Sequence, residues 1–136
     1  MNTLQAVLHS QIISSLKQNH QSRFRVTGRS MRPLIQKGDW VVVEPLTADS
    51  VLLPGEIVLI DRTVDFVVHR FIKKNKDVIF TRGDWSRSFD PPVKHEQILG
   101  RVIVVEKRCC NLRLSHPLLK IVNRLIIYAS FLYQKK

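Results

Sequence analysis

Between residues 23 and 107 the chain consists of short runs, most of which end at glycine, proline or aspartate, and this spacing of stops constrains the fold more than any other feature. Arg23-Phe24-Arg25-Val26-Thr27 alternates in strand fashion and halts at Gly28. A turn at Gly38-Asp39 leads into Trp40 to Glu44, which stops at Pro45. Pro54-Gly55 is a turn dipeptide opening a run from Glu56 to Asp61. Asp65 to Ile72 pairs across Lys73–Lys76 with Asp77 to Arg82 as a hairpin, and Ile98 to Lys107 is the last run. Residues 29–36 read as a turn or short helical piece, 46–53 as a surface loop and 83–95 as irregular. Many short strands bounded this way predict a mainly β fold, a small antiparallel barrel or sandwich.

Two helices flank this core, so the expected organisation is one domain over 1–136: a helix within 1–19, the β core over 23–107 and a helix over 116–134. Leu4, Val7, Leu8, Ile12, Ile13 and Leu16 recur at helical spacing with polar residues between them. That pattern is an amphipathic helix and not the unbroken apolar stretch of a secretory signal. Near the other end, Leu118, Ile121, Val122, Leu125, Ile126, Ala129 and Leu132 form one apolar stripe. Leu119, Ile127, Tyr128 and Phe131 widen it, leaving Lys120, Asn123, Arg124 and Ser130 as polar relief. Such a helix packs on its own domain, meets a partner or lies in a membrane interface. The closing Tyr128, Phe131, Tyr133, Lys135 and Lys136 favour an anionic membrane surface. No run reaches the length of a transmembrane helix. The expected location is therefore cytoplasmic or peripheral to a membrane.

Charge narrows the partners. Lys and Arg outnumber Asp and Glu 22 to 11, a formal net charge of +11. Such an excess suits a nucleic acid, an anionic membrane or an acidic protein. The basic residues are scattered among apolar runs, with small clusters at Lys73-Lys74-Asn75-Lys76 and Lys135-Lys136. That scatter argues against nucleic acid. No zinc-ligand spacing appears, and no metal or cofactor is expected. Cys109 and Cys110 are adjacent, which disfavours a structural disulfide and suggests two ordinary half-buried thiols.

Three segments carry residue types suited to chemistry. Gly28-Arg29-Ser30-Met31-Arg32-Pro33 places a serine between turn-forming residues at a strand end, where backbone N–H groups can converge as an oxyanion hole. Phe66-Val67-Val68-His69-Arg70 sets a histidine in an apolar strand. A serine hydroxyl needs a base within hydrogen-bond reach, and imidazole suits that task near neutral pH. Thr81-Arg82-Gly83-Asp84, running on to Asp90-Pro91, supplies carboxylates able to orient an imidazole, with Asp84 and Asp90 both open as the orienting acid.

The order and spacing of these segments resemble the signal peptidase I family, whose pattern is G-x-S-M-x-P, then G-D, then a base in a strand, then a second G-D. Here His69 follows Ser30 by thirty-nine residues and Gly83-Asp84 follow fourteen later. Pro54-Gly55-Glu56-Ile57-Val58 and Gln97-Ile98-Leu99-Gly100-Arg101-Val102 resemble the family's intervening and closing strands, so the likeness covers residues 24–106. Bacterial members and the related LexA-type self-cleaving repressors use Ser with Lys. The endoplasmic-reticulum, archaeal and sporulation-type members use Ser with a His-Arg dipeptide, as this chain does at His69-Arg70.

The resemblance implies a serine endopeptidase on a signal-peptidase-type β fold, acting on a peptide or preprotein. Ser30 would be nucleophile, His69 base, Asp90 the orienter of His69 and Asp84 a support for the loop, with Gly28 and Met31 shaping the oxyanion turn. Lys73 and Lys74 fall toward the hairpin turn, past the strand position of a base. Some members carry a hydroxyl residue two positions before the nucleophile; Gly28 stands there, which leaves backbone N–H groups to bind the oxyanion. Two alternatives remain open. One is a catalytically silent peptide-binding module; the other is a LexA-like self-processing regulator, for which the stretch before the first strand is too short to hold a helix-turn-helix domain.

Overall fold

A computed structural model describes residues 3–134. The first helix, α1 (Thr3–Lys17), ends in a left-handed Asn19 (φ 65°). His20 N–H donates to Ser15 C=O and Asn19 N–H to Leu16 C=O, the paired bonds that close a helix on a left-handed cap. Leu16 is buried and Ile12 packs beside it against the sheet, while Leu4, Val7 and Leu8 face solvent.

The described strands are β1 (Ser22–Arg25), β2 (Trp40–Pro45), β3 (Ile57–Asp61), β4 (Phe66–Asn75), β5 (Val78–Arg82), β6 (Val93–Lys94), β7 (Ile98–Glu106) and β8 (Asn111–Arg113). They form one antiparallel sheet in the order β1-β2-β7-β3-β4-β5-β6, with β8 also pairing to β7. Alternation in β2 buries Val41 and Val43 and leaves their neighbours half-exposed, as a sheet with one covered face requires. By contrast, β3 is buried on both faces. Ile57 and Leu59 join a cluster with Val41, Val43, Val102, Val105 and Leu16; Val58 and Ile60 join another with Phe71, Ile79, Val93 and Ile98. Register shifts at Val42/Val43, Leu59/Ile60 and Phe71/Lys73 bend the strands that carry them, and the sheet curls into a half-barrel with a core on either side of β3. This is the antiparallel β architecture that the run lengths predict.

Several details differ from expectation. The β4–β5 hairpin is tighter: Lys73, Lys74 and Asn75 are strand residues, and the turn is Lys76-Asp77 with Lys76 at φ 52°. The twist of paired strands favours such a two-residue turn over the longer loop that the lysine cluster suggests. The stretch read as irregular, 83–95, contains β6 and ends where a 3₁₀ turn begins (His95–Gln97), and β8 lies beyond the last expected strand. Cys109 and Cys110 are exposed, not half-buried, because they occupy the β7–β8 turn.

The second helix, α2 (Pro117–Gln134), docks by a face other than its broad apolar stripe. Asn123 and Ile127 are buried and Leu119 and Ile126 half-buried, whereas Leu118, Ile121, Val122, Leu125, Tyr128 and Leu132 face solvent. Lys135 and Lys136, and the side chains of Phe131 and Tyr133, which entered the membrane expectation, lie outside the described residues. No helix among the described residues is long and apolar enough to cross a membrane.

Candidate active site

Two buried side chains anchor the turn that carries Ser30. Met31 and Ile35 insert into the core cluster under β2, and Ile35 N–H donates to Met31 C=O at 3.0 Å. Asp39 fastens the far end: its carboxylate accepts from Gln36 N–H at 2.8 Å and from Lys107 Nζ at 2.6 Å. Held at both ends, the turn exposes Ser30 while its side chain faces β4. Gly28 lies on the exposed approach to this turn, with open space where a side chain would stand. Met31 serves the site from the core, through its packing.

His69 sits in β4 opposite Val58 of β3, buried on a strand clamped between two neighbours. Its Nε2 is 2.9 Å from Ser30 Oγ and its Nδ1 is 2.5 Å from Asp90 Oδ2. A carboxylate at Nδ1 selects the tautomer with its proton there, so that Nδ1–H donates to Asp90 and the Nε2 lone pair faces the Ser30 hydroxyl. Asp90 is fixed in turn. Thr81 Oγ1–H donates to the same Oδ2 at 2.7 Å, and Asp90 N–H donates to Thr81 C=O at 2.9 Å, tying the loop back onto β5. Burial works to raise the Asp90 pKa, but hydrogen bonds from His69 and Thr81, with the charges of His69 and Arg62, outweigh it and hold the carboxyl below its ordinary value.

Asp84 occupies a different place. Arg70 follows His69 and therefore points to the opposite face of β4. It is fully buried, and its guanidinium grips Asp84 through Nε–H at 2.7 Å and Nη2–H at 2.6 Å. Nη1 donates to Gly55 C=O at 2.7 Å and to Asn123 Oδ1 of α2 at 2.6 Å. Four donor contacts satisfy most of the fork's five N–H groups, as a cation removed from water requires. The structure therefore sets the two aspartates on different partners: Asp90 on His69, Asp84 on Arg70.

The segment joining them lies across Ser30. Trp85 N–H donates to Ser30 C=O at 2.8 Å. A Cβ on Gly83 would fall 2.8 Å from Ser30 O, 3.0 Å from Ser30 Cβ and 3.1 Å from His69 Nε2, so only glycine fits here without displacing the pair. Gly55, at φ 102°, gives the same close approach to α2, where a Cβ would meet Ile127 at 3.1 Å. Lys73, the tempting alternative base, sits elsewhere, its Nζ over the rings of Phe80 and Phe89 at 5.2 and 5.4 Å.

Sequence reasoning missed Thr81, Asn123 and the structural role of Arg70. Asn123 had a usable signal, a single amide inside an apolar helix, but it read as solvent-facing relief and is in fact buried. Nothing in the sequence marks Thr81 as a partner of Asp90. Among the described residues no cluster of His, Cys, Asp or Glu could hold a metal ion.

No curated protein matches the chain. The Peptidase S24-like family model matches residues 5–103, which span Ser30, His69, Asp84 and Asp90. The chain belongs to that family of serine-type peptidases, in the clan of LexA-type peptidases.

Proposed function

We propose that this S24-like chain is an active serine endopeptidase of signal-peptidase-like chemistry, cutting a leader or signal segment from a precursor peptide or protein. One observation carries the reading: Ser30 Oγ, His69 and Asp90 stand in an unbroken hydrogen-bonded line of 2.9 and 2.5 Å, with Ser30 open to solvent. Ser30 Oγ attacks the scissile carbonyl carbon as its proton passes to His69 Nε2. The C–N bond then breaks, the amine leaves with that proton, and an ester to Ser30 remains. Water, deprotonated by His69, hydrolyses the ester and restores the hydroxyl. Asp90 stays ionised throughout and stabilises the imidazolium. Backbone N–H groups of the Ser30 turn bind the oxyanion, since Gly28 supplies no hydroxyl.

The substrate would lie extended. Among the described residues β1 pairs only with β2, which leaves its other edge open, and the chain runs from it directly to Ser30. A peptide adding to that edge would pass its backbone toward the nucleophile. The His-Arg pairing in β4 supports the Ser–His branch over the Ser–Lys usage of LexA-type relatives, because His69 occupies the base position while Lys73 is engaged with Phe80 and Phe89.

The test is incubation with a panel of leader-containing precursors, reading both substrate and enzyme by mass. Wild type should cut at a defined site. Ser30→Ala and His69→Ala should not, and Asp90→Asn should be slower by about 10⁴-fold. Cleavage persisting in Ser30→Ala would remove the reading. Ser30-dependent shortening of the enzyme itself, with the precursors intact, would favour a self-processing regulator instead.

A further inference from the structure

Among the described residues, the large apolar face of α2 meets no partner. Leu118, Ile121, Val122, Leu125, Tyr128 and Leu132 recur along one side of the helix and are 41–67% exposed. The helix cannot roll to bury this stripe, because Asn123 on its inner face is hydrogen-bonded to the buried Arg70, and Gly55 admits Ile127 and Asn123 at contact distance. Rolling would strip a buried guanidinium of an acceptor and expose Ile127. A polar latch therefore holds the apolar face outward. The loop that meets α2 at Gly55 adds Val51 and Leu53, also exposed.

Charge identifies what covers this face. Lys120 and Arg124 are exposed on the same helix, and its sequence from Pro117 to Gln134 contains no acidic residue. The chain as a whole carries +11. A second copy would offer apolar area but would bring like charges together, with no carboxylate on α2 to pair Lys120 or Arg124. An anionic bilayer surface offers both an apolar boundary and negative headgroups.

We propose that α2 docks the protein on an anionic lipid surface, lying in the interface with its exposed stripe among the acyl chains and Lys120 and Arg124 at the headgroups. This inference is independent of the peptidase reading. The experiment is co-sedimentation of the full chain with mixed phosphatidylcholine–phosphatidylglycerol vesicles and with pure phosphatidylcholine vesicles. Wild type should pellet with the mixed vesicles and stay largely in solution with the neutral ones. Lys120→Gln combined with Arg124→Gln should weaken binding by about 25-fold, about fivefold per charge. Ile121→Ser combined with Leu125→Ser should weaken it by at least about tenfold while melting at the wild-type temperature, since both residues are exposed. Wild type failing to bind the mixed vesicles, or binding unchanged in both variants, would overturn the proposal. So would a dimer in sedimentation velocity that Ile121→Ser/Leu125→Ser dissolves while vesicles leave the protein in solution; that result would assign the face to a second copy.

Discussion

Replacing Asp84 by Asn should unfold this protein more easily without removing its chemistry. The substitution keeps size and shape but deletes the charge that balances Arg70. The two side chains are 4% and 1% exposed, and both bonds of the bidentate pair, 2.7 and 2.6 Å, are shielded from water. Breaking one partner of such a pair costs about 3–5 kcal/mol because the other charge is left buried. Asn retains one oxygen acceptor for the guanidinium, so the lower end, about 3 kcal/mol, is expected. For a chain of this size that is a fall in Tm of about 12 °C. The assay is thermal denaturation followed by near-ultraviolet circular dichroism, paired with hydrolysis of an activated peptide ester well below the lowered Tm. Ester hydrolysis should remain within about tenfold of wild type, since His69 and Asp90 keep their contacts. An unchanged Tm together with abolished hydrolysis would instead make Asp84 the orienting acid.

Gly83→Ala should harm catalysis directly and also cost about 1–3 kcal/mol of stability, because its clash is with the Ser30 backbone. Its new methyl would meet Ser30 O at 2.8 Å and His69 Nε2 at 3.1 Å, and displacing that pair should slow ester hydrolysis by about 100-fold; a full-rate Gly83→Ala enzyme would contradict the site geometry. Acid should reveal Asp90. Its carboxyl titrates below the ordinary value of 3.8 in the folded chain, so it binds its proton less readily folded than unfolded. The resulting stability is fully present above 3.8 and is lost as pH falls from there through the depressed value. Urea midpoints measured from pH 5 downward should thus fall more steeply in wild type than in Asp90→Asn; parallel slopes would show that Asp90 gains nothing from its partners.

The β architecture and the spacing of Ser30, His69 and the aspartate segment were legible because each rests on local chemistry. Turn residues announce strand ends, and the family likeness lies in short contiguous motifs. Which aspartate meets which base was open from the residues alone, since it depends on the register of β4 against β5 and on how Thr81 N- and C-terminal neighbours fold back: Asp90 N–H returns to Thr81 C=O while Asp84 reaches the other face of β4. Long-range contacts leave no periodic trace, which is why the Arg70–Asn123 bond, fifty-three residues apart, was invisible. The same bond explains why Asn123, read as polar relief, turns inward. Periodicity measures how apolar a face is, and a single buried guanidinium decided which face of α2 turns inward.

Trapping the acyl-enzyme shows whether Ser30 is a nucleophile activated by His69 and Asp90. The full chain would be incubated with an activated peptide ester, quenched in acid and weighed intact, and the modified residue located by fragmentation. One acyl group is expected, on Ser30, formed rapidly by wild type, absent in Ser30→Ala and formed at least about 10³-fold more slowly in His69→Ala. An adduct that survives Ser30→Ala, or that forms in His69→Ala as fast as in wild type, would contradict that assignment.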